Sequence, residues 1–434
     1  MGTRRSSFRN LTAIIAMTIA VQLNYSCSFG QDSTKIRSLP DGTEGERLEV
    51  IDSSTIHKKP WNMLDGKFST LKFGVAFLFE YAGFSPDETV KEQMKQAKVE
   101  LNSGFDVRDF RFLLSGQIKS KREITWKAGL MYDGSLKSWF VRESGIMIAF
   151  PEIRSHVFVG RTKEGFSLSK VMSGYAVEMM ERHMASDPIP ILADGIKWMG
   201  FLPKSGFFWN LGIFADWLSK GQSFSTDRWQ LASRIGWMPV HSPKTNLHLA
   251  ANIRFGHPLN DTIRLKSRPE SNPAPFFIDT GKFPAEQSTY FGGEAYYSSG
   301  PLQIGTEIFW HKFNSPTTND PLFHGGEIMV SYFFTGESRP YSTDAGNIYG
   351  YVPVKKSVFK GGKGVWEAVI RYSSFDLDAG TIKGGRFWKI TPMVNWYLAD
   401  FLRFELAYGY GVLNRFNMQG GTHFLQSRLQ FLIR

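Results

Sequence analysis

The sequence predicts an all-β fold, a transmembrane antiparallel β-barrel of 16 strands, with 18 strands as the alternative. Three observations lead there. Apolar and polar residues alternate with period two over stretches of about ten residues, the length of a membrane-spanning strand. Aromatic residues make up 15% of the 434 residues and glycines number 42, as aromatic girdles and tightly paired strands require. The N-terminus carries an export pattern.

Residues 1–30 have the layout of a secretory signal peptide. Arg4, Arg5 and Arg9 form a basic start, and the mostly apolar run Leu11–Leu23 follows them. Small residues then precede the expected cleavage site. The apolar run is too short to cross a bilayer comfortably. We therefore expect export from the cytoplasm, with the bacterial outer membrane as the destination.

The rest of the chain divides into a leader and a barrel. Residues 31–65 are polar and lack apolar periodicity, so we expect a periplasmic N-terminal leader. Residues 66–434 carry the alternating pattern and form the predicted barrel. The one cysteine, Cys27, lies within the signal, so no disulfide holds the fold. Closure of the last strand on the first would instead remove every sheet edge.

One face of each predicted strand is apolar and the other is charged or small. Between residues 365 and 373, Trp366, Ile370 and Tyr372 share a face, while Glu367 and Arg371 share the opposite one. Side chains alternate across a strand, so one face would contact lipid and the other would line the lumen. A soluble sandwich is the alternative. The strand lengths, the export signal and the Trp and Tyr residues near run ends favour the membrane barrel.

About 17 such runs can be counted, and bacterial barrels normally have an even number of strands. The short runs Thr262–Arg268 and Ile196–Leu202 are the doubtful ones. Removing one of them gives the predicted 16 strands.

Several motifs resemble one known family. They are Gly160-Arg161-Thr162-Lys163-Glu164-Gly165-Phe166-Ser167-Leu168 with Met180-Glu181-Arg182; Ser267-Arg268-Pro269-Glu270 leading to Phe277-Ile278-Asp279-Thr280-Gly281; Tyr332-Phe333-Phe334-Thr335-Gly336-Glu337-Ser338-Arg339; and Trp366-Glu367-Ala368, Arg371-Tyr372-Ser373 and Asn395-Trp396-Tyr397-Leu398. In this order, over residues 66–434, they resemble the phosphate-selective porin O and P family. The chain departs from the family at Gly165, where proline is usual, at Ser169, where an acid is usual, and at Arg434, where barrels typically end in an aromatic residue.

The resemblance implies a trimeric, 16-stranded porin with a loop folded into the pore after the Gly160-Arg161 strand. It also implies anion selectivity, with arginines and lysines of the lumen binding phosphate or polyphosphate. The matching segment, residues 164–194, is the longest stretch without period-two alternation in the first half of the barrel. We predict that it is a pore-constricting loop, with a helix within Lys170–Met184. The alternative is an exposed surface loop.

Charges on the inward faces would set the selectivity of such a pore. The alternation places these basic residues inward: Lys72, Arg111, Lys127, Arg161, Arg228, Arg234, Arg254, Arg371, Lys389 and Arg403. It places these acids inward: Glu80, Asp216, Glu294, Glu307, Glu327, Glu367 and Glu405. The excess of basic residues favours anions, although wall ion pairs would use up part of it.

From this set and the loop segment we predict nine anion-binding residues. Those in or beside the constriction rank first: Arg161, Lys163 and Arg182. The others lie along the wall: Arg111, Lys127, Arg228, Arg234, Arg254 and Arg371. Arginine suits phosphate because its planar fork matches two oxygens at once.

The formal net charge is +11, and the first 30 residues contribute three of those charges. No basic cluster or stacking motif of a nucleic-acid-binding domain accompanies the charge, so nucleic acid is not a predicted partner. The expected partners are outer-membrane lipid, small anionic solutes, the barrel-assembly machinery and further copies in a homotrimer.

No catalytic residues, metal ligands or cofactors are predicted, because the sequence lacks HExxH, CxxC, GxSxG and P-loop patterns. The function expected is passive diffusion of small solutes with a preference for anions such as phosphate. The alternatives are a general or organic-solute channel, a structural or adhesive barrel, and a lipid hydrolase that uses the inward His248.

Overall fold

The computed structural model describes residues 60–217, 227–344 and 346–434, and it is a closed antiparallel β-barrel of 16 strands. The predicted fold class and strand number are confirmed. The predicted signal peptide, residues 1–30, and the leader as far as residue 59 lie outside the described residues. The end of the leader forms a short strand, Met63–Asp65, which pairs with the first barrel strand.

The barrel strands are Thr70–Pro86 (β1), Gly104–Ile118 (β2), Ile124–Asp133 (β3), Ser138–Val141 and Ser144–Phe150 (the two segments of β4), Ser155–Thr162 (β5), Ala193–Leu202 (β6), Phe207–Ala215 (β7), Asp227–His241 (β8), Thr245–Pro258 (β9), Gln287–Ser299 (β10), Leu302–Asn314 (β11), Leu322–Phe333 (β12), Val365–Ala379 (β13), Ile382–Ala399 (β14), Leu402–Arg415 (β15) and Met418–Ile433 (β16).

Each barrel strand pairs with its neighbour in the chain, and β1 pairs with β16 from Val75↔Ile433 to Pro86↔Thr422. Every strand therefore has two partners, which removes the exposed edges that invite aggregation. The run Ile196–Leu202 lies in β6. The run Thr262–Arg268 is not a barrel strand: Thr262–Ile263 pairs with Phe283–Pro284, and Lys266–Ser267 pairs with Ile278–Asp279.

The main helix, Glu88–Gln96 (α1), follows β1. Asp87 caps it by accepting a hydrogen bond from the Val90 N–H at 2.8 Å, and the second Asp87 oxygen accepts from the Gly421 N–H of β16. The remaining helical pieces are Leu168–Val171 (α2) and the 3₁₀ turns Pro151–Ile153, Met184–Ser186, Leu259–Asp261, Pro316–Thr318 and Val358–Lys360. Among the described residues, no helix has the length and apolar character needed to cross a membrane.

The two faces of the strands separate as the alternation predicts. On β13, Ile370 and Tyr372 are 45% and 43% exposed on the outer surface, while Glu367 and Arg371 are buried inside. Trp366 stacks on Trp396 of β14 with ring centroids 4.9 Å apart, on the outer surface near the strand ends. The outer face is therefore the lipid-facing surface of an outer-membrane barrel.

The connections differ between the two ends of the barrel. At the short-turn end, six connections have two to five residues each: 119–123, 151–154, 203–206, 242–244, 300–301 and 400–401. At the long-loop end, residues 87–103, 163–192 and 259–286 form much longer connections. Short turns face the periplasm in outer-membrane barrels.

The inner face is not polar throughout, which differs from the expectation of a charged or small inner face. Near the long-loop end, Phe309, Phe313, Phe323 and Phe375 point inward and are almost fully buried. They pack in one apolar cluster with residues of α1 and of the segments 163–192 and 259–286. Burial of this surface holds the inserted segments inside the barrel.

Candidate functional site

Three segments enter the barrel and fill most of its interior. Residues 163–192 (inner loop A) and 259–286 (inner loop B) enter from the long-loop end, and residues 334–364 (the inner strap, in which Ala345 is not described) enter from the short-turn end. Inner loop A coincides closely with the segment predicted to constrict the pore. Its predicted helix over Lys170–Met184 is wrong, because the α-helical part is the four residues of α2 and most of the remainder is irregular.

Glu307 of β11 anchors the start of inner loop A. Its carboxylate accepts hydrogen bonds from the Ser167 hydroxyl at 2.7 Å and from the Ser169 N–H at 2.8 Å. His183, further along the loop, lies 3.1 Å from the same carboxylate. A buried carboxylate bound by several donors from one segment fixes that segment against the wall.

A possible metal site lies at this anchor. His183, Glu307 and Glu327 offer three ligand atoms that all lie within 4.8 Å of one another. The Glu307 oxygens, however, already accept hydrogen bonds from Ser167, Ser169 and Tyr296. Since these donors occupy the carboxylate, the arrangement fits an anchor better than an open coordination site.

Four of the nine predicted anion-binding residues, all of them arginines, are neutralised by buried carboxylates. The pairs are Arg161 with Asp194 at 3.1 Å, Arg234 with Glu294 at 2.9 Å, Arg254 with Glu164 at 2.7 Å and Asp227 at 2.6 Å, and Arg371 with Glu270 at 2.6 Å and Glu327 at 3.3 Å. Their inward direction was predicted correctly. Because Arg254 and Arg371 bind carboxylates of inner loops A and B, they hold these loops rather than offer free charge.

The predicted inward position of Arg228 is wrong. A register shift between Asp227 and Trp229 changes the alternation at the start of β8. As a result, Asp227 points inward to Arg254, while Arg228 is 54% exposed and pairs with Asp261 at 2.8 Å. Bulges of this kind are not visible in an apolar–polar pattern.

Three of the four remaining predicted residues lie together at one cavity. Arg111 of β2, Lys127 of β3, Lys163 of inner loop A and Tyr351 of the inner strap line it. Its volume is about 60 Å³, room for roughly four to six water molecules. We call it the basic cavity.

Arg142, which was missed in the sequence, also lines the basic cavity. It is 8% exposed, and its guanidinium makes no hydrogen bond or ion pair with any residue that the structure describes. Burying a charge without a partner is costly. An arginine in that state, pointing into a cavity, is suited to bind an anion that enters from outside.

A β-bulge brings Arg142 to the cavity. Val141 pairs with Leu130 and Gly145 pairs with Lys127, so residues 142–144 lie opposite residues 128–129. The extra residue divides β4 and turns both Arg142 and Glu143 toward the interior. Gly160 of β5, at a φ of +133°, lies against the bulge; a Cβ there would be 2.4 Å from the Ser144 carbonyl oxygen. Bulges often redirect side chains at functional sites.

Positive charge exceeds negative charge around the basic cavity. Six cations interact electrostatically within this group of residues: Arg111, Lys127, Arg142, Lys163, Arg182 and Lys197. Two carboxylates, Glu143 and Asp109, lie within the same group. Glu143 pairs with Lys127 at 3.3 Å, and Asp109 pairs with Arg111 at 2.5 Å while accepting a hydrogen bond from Tyr175 at 2.6 Å. Six cations and two carboxylates leave an excess of four positive charges, and Arg108 and Glu181, which also act on Arg182, add one charge of each sign.

Arg182, one of the first-ranked candidates, contacts inner loop A itself. Its Nε donates to the Ser169 carbonyl at 2.5 Å and its Nη2 donates to the Met172 carbonyl at 2.9 Å. Burial lowers the pKa of Arg182 to about 10, partly offset by the adjacent Glu181. It therefore stays charged at neutral pH and contributes to the positive potential.

His248 does not lie in a hydrolytic arrangement. Its Nε2 is 3.0 Å from Glu294, its Nδ1 is 2.6 Å from the Tyr341 hydroxyl, and the ring is fully buried. These contacts connect β9 and β10 with the inner strap.

The fold and the basic cavity define a channel-forming barrel of the outer membrane. The family model of phosphate-selective porin O and P matches residues 89–433, so the chain belongs to that family. Membership confirms the resemblance seen in the sequence and the location in the bacterial outer membrane. Family and fold together indicate a channel rather than an enzyme.

Solved structures share the fold at low sequence identity. An anion-selective porin from Comamonas acidovorans is 12% identical, with a TM-score of 0.53 over 84% of this chain and 100% of that chain. OmpT of Vibrio cholerae in its trimer form is 11% identical, with a TM-score of 0.51 over 84% and 100%. The outer membrane channel DcaP of Acinetobacter baumannii is 9% identical, with a TM-score of 0.51 over 84% and 98%.

A curated protein from Caulobacter vibrioides, described as uncharacterized, is 31% identical over 179 residues. The match covers 39% of this chain and spans 35% of the length of that relative.

Proposed function

We propose that this protein lets small anions diffuse across the outer membrane, with phosphate-type oxyanions as the preferred class. The observation that carries the proposal is Arg142, a buried arginine whose guanidinium has no hydrogen-bond or ion-pair partner within the described ranges, in a cavity that already holds an excess of positive charge. The nearby Arg111, Lys127 and Lys163 would share an entering anion. The known relatives of this fold include an anion-selective porin.

Electrostatics supports a preference for anions over cations. A charge in a narrow, protein-lined cavity acts more strongly than one in bulk water, because the effective dielectric constant is lower. An anion at Arg142 gains this attraction and also gives a partner to a buried charge that has none in the described part of the chain. Arginine offers two parallel N–H donors, which match the oxygens of phosphate better than a spherical chloride ion.

The size of the basic cavity supports small solutes. A volume of about 60 Å³ suits an ion of phosphate size, since it equals the space of roughly four to six waters. A polyphosphate chain would have to pass unit by unit, and a sugar would require inner loop A to move.

The test is electrical recording from the purified protein in planar bilayers. We expect a reversal potential on the anion side in a salt gradient, and block of chloride current by inorganic phosphate. Cation preference without phosphate block would refute the anion channel. Large currents that phosphate leaves unchanged would favour a general or organic-solute channel, and absence of current would favour a structural or adhesive barrel.

We also propose a homotrimer in which the short strands β3–β7 face the neighbouring copies. Strands β3, β5, β6 and β7 have eight to ten residues each, whereas β10–β16 have 12 to 18. The side of the barrel formed by β3–β7 is therefore the low wall, and the side formed by β10–β16 is the tall wall. A nine-residue strand tilted by about 40° rises about 23 Å, slightly less than the apolar band of about 25 Å. Contact with another copy would shield this low wall from mismatch with lipid.

Cysteine cross-linking tests the trimer. Trp198 of β6 and Ile370 of β13 are 40% and 45% exposed on the outer surface. Trp198→Cys should form cross-links between copies in native membranes, while Ile370→Cys, on the tall wall, should not. The opposite result would place the interface elsewhere.

We expect residues 1–30 to be absent from the mature protein, which mass spectrometry would verify.

A further inference from the structure

The inner strap is unusual for its position in the barrel. It has 31 residues at the end where the other connections have two to five. Buried polar contacts hold it inside: Arg339 pairs with Glu367 at 2.8 Å, and Arg234 donates to the Gly346 carbonyl at 2.6 Å. The strap is therefore a fixed part of the interior rather than a loose tail at the mouth.

Tyr351 of the strap is the residue that reaches the basic cavity. It belongs to the lining of the cavity together with Arg111 and Lys163. Its hydroxyl lies 2.8 Å from the Ser173 hydroxyl of inner loop A. The guanidinium of Arg434 lies over its ring, 3.7 Å from the centroid. Tyr351 therefore links the strap, inner loop A and the C-terminal strand at one point.

The alternation of β16 explains why Arg434 reaches this point. Gln430 and Leu432 are buried on the inner face, so the residue two positions further also points inward. Gly74 of β1 faces the same place: a Cβ there would lie 2.8 Å from the Ile433 carbonyl oxygen. The absence of a side chain at Gly74 lets the end of β16 lie close to β1.

We propose that Tyr351, held by Ser173 and Arg434, is the size filter at the short-turn exit of the channel. The inference rests on the proposed function, since it assumes that solute leaves the basic cavity past this ring. An aromatic ring is bulky and has only two side-chain rotations. The hydroxyl contact with Ser173 and the cation–π contact with Arg434 hold the ring beside the basic cavity, so its bulk limits the size of a solute that leaves past it.

Single-channel recording on Tyr351→Ala tests the filter. Removing the ring should raise the conductance in potassium chloride by about twofold or more and admit pyrophosphate, which the unmodified channel should pass poorly. Anion preference should stay, because Arg142 and Lys127 remain. Tyr332→Ala is the matched control, since Tyr332 is a lipid-facing tyrosine, 45% exposed on β12; it should leave conductance unchanged.

Two milder variants separate the ring from its contacts. Tyr351→Phe and Ser173→Ala keep the ring and remove the hydroxyl contact, so each should increase open–closed flicker with little change in peak conductance. Heat-modifiable migration in detergent gels would show that each variant is folded. If folded Tyr351→Ala keeps the unmodified conductance and still excludes pyrophosphate, the filter is refuted.

The outcome for the filter is distinguishable from that for the proposed function. If the proposed anion selectivity is wrong, the unmodified protein will show a reversal potential on the cation side. A conductance change in Tyr351→Ala would still be measurable in that case. Conversely, an anion-selective protein whose Tyr351→Ala variant behaves as unmodified would retain its function and lose only the filter.

Discussion

Replacing Arg142 with alanine removes the one cavity cation that has no partner among the described residues. The change leaves no carboxylate or carbonyl unpaired, because the guanidinium donates to none of them. Folding stability should therefore stay the same or rise slightly, since an unpaired buried charge disfavours the folded state. A functional defect in this variant would then reflect the lost charge itself and not a disturbed barrel.

The size of the effect follows from the position of the charge. A monovalent anion about 4 Å from Arg142 gains about 1 kcal/mol in bulk water and about 4 kcal/mol at an effective dielectric constant of about 20. Arg142 is 92% buried, taken from its 8% exposure, so the cavity lies between these limits. Because about 1.4 kcal/mol corresponds to tenfold, phosphate binding should weaken by roughly fivefold to 700-fold.

The assay is block of chloride current by inorganic phosphate, with the half-blocking concentration as the readout. Arg142→Ala should raise that concentration by at least about fivefold and move the reversal potential toward zero. Arg228→Ala is the matched control, since it removes one exposed arginine that does not line the cavity and should change neither quantity. Arg142→Lys should keep the anion preference and lose part of the discrimination between phosphate and chloride.

The reasoning fails on one specific result. If folded Arg142→Ala has the half-blocking concentration and reversal potential of the unmodified protein, the unpaired arginine does not act on permeating anions. A shift shared equally by Arg228→Ala would also reject it, because the effect would then belong to overall charge.

Two further predictions concern the anchors of the inserted loops. Arg254→Ala leaves Glu164 and Asp227 buried without their cation, so it should lower the free energy of unfolding by about 3–5 kcal/mol; Arg228→Ala breaks an exposed pair and should lower it by at most about 1 kcal/mol in the same urea titration. Glu307→Ala should free the start of inner loop A and give a larger, noisier conductance, because each lost hydrogen bond to a charged group contributes about 1.5–3 kcal/mol. Glu152→Ala, on a short turn, is the control. Quiet currents of unmodified size in Glu307→Ala would contradict the anchoring role of Glu307.

The barrel itself was predictable because lipid on one side and loops or water on the other impose a two-residue period over the whole chain. The strand count was predictable too, once Thr262–Arg268 is recognised as a run without a neighbour in the wall. Where the pattern breaks, prediction failed. Phe309 and Trp310 are adjacent and both aromatic, so they break the alternation. Phe309 packs against the inserted loops inside the barrel, while Trp310 lies on the outer face.

The two bulges limited prediction of the site. At the start of β8 a bulge moves Arg228 out of the lumen, and in β4 a bulge moves Arg142 into it. The apolar–polar pattern does not reveal an extra residue, because bulged and regular strands contain the same residue types. The one hint at β4 is the adjacent pair Arg142-Glu143, two charged residues in succession within a spanning strand.

The charge of the lumen also has a meaning that counting cannot reveal. Arg254 and Arg371 were reasonable candidates for anion binding, yet each meets two carboxylates, in both cases one from an inserted loop. A wide barrel that carries long internal segments needs buried ion pairs to hold them, because their backbone and polar groups lie out of water. On the proposed function, selectivity would depend on the cations left over after anchoring, and these lie around Arg142, on β2–β4 and inner loop A.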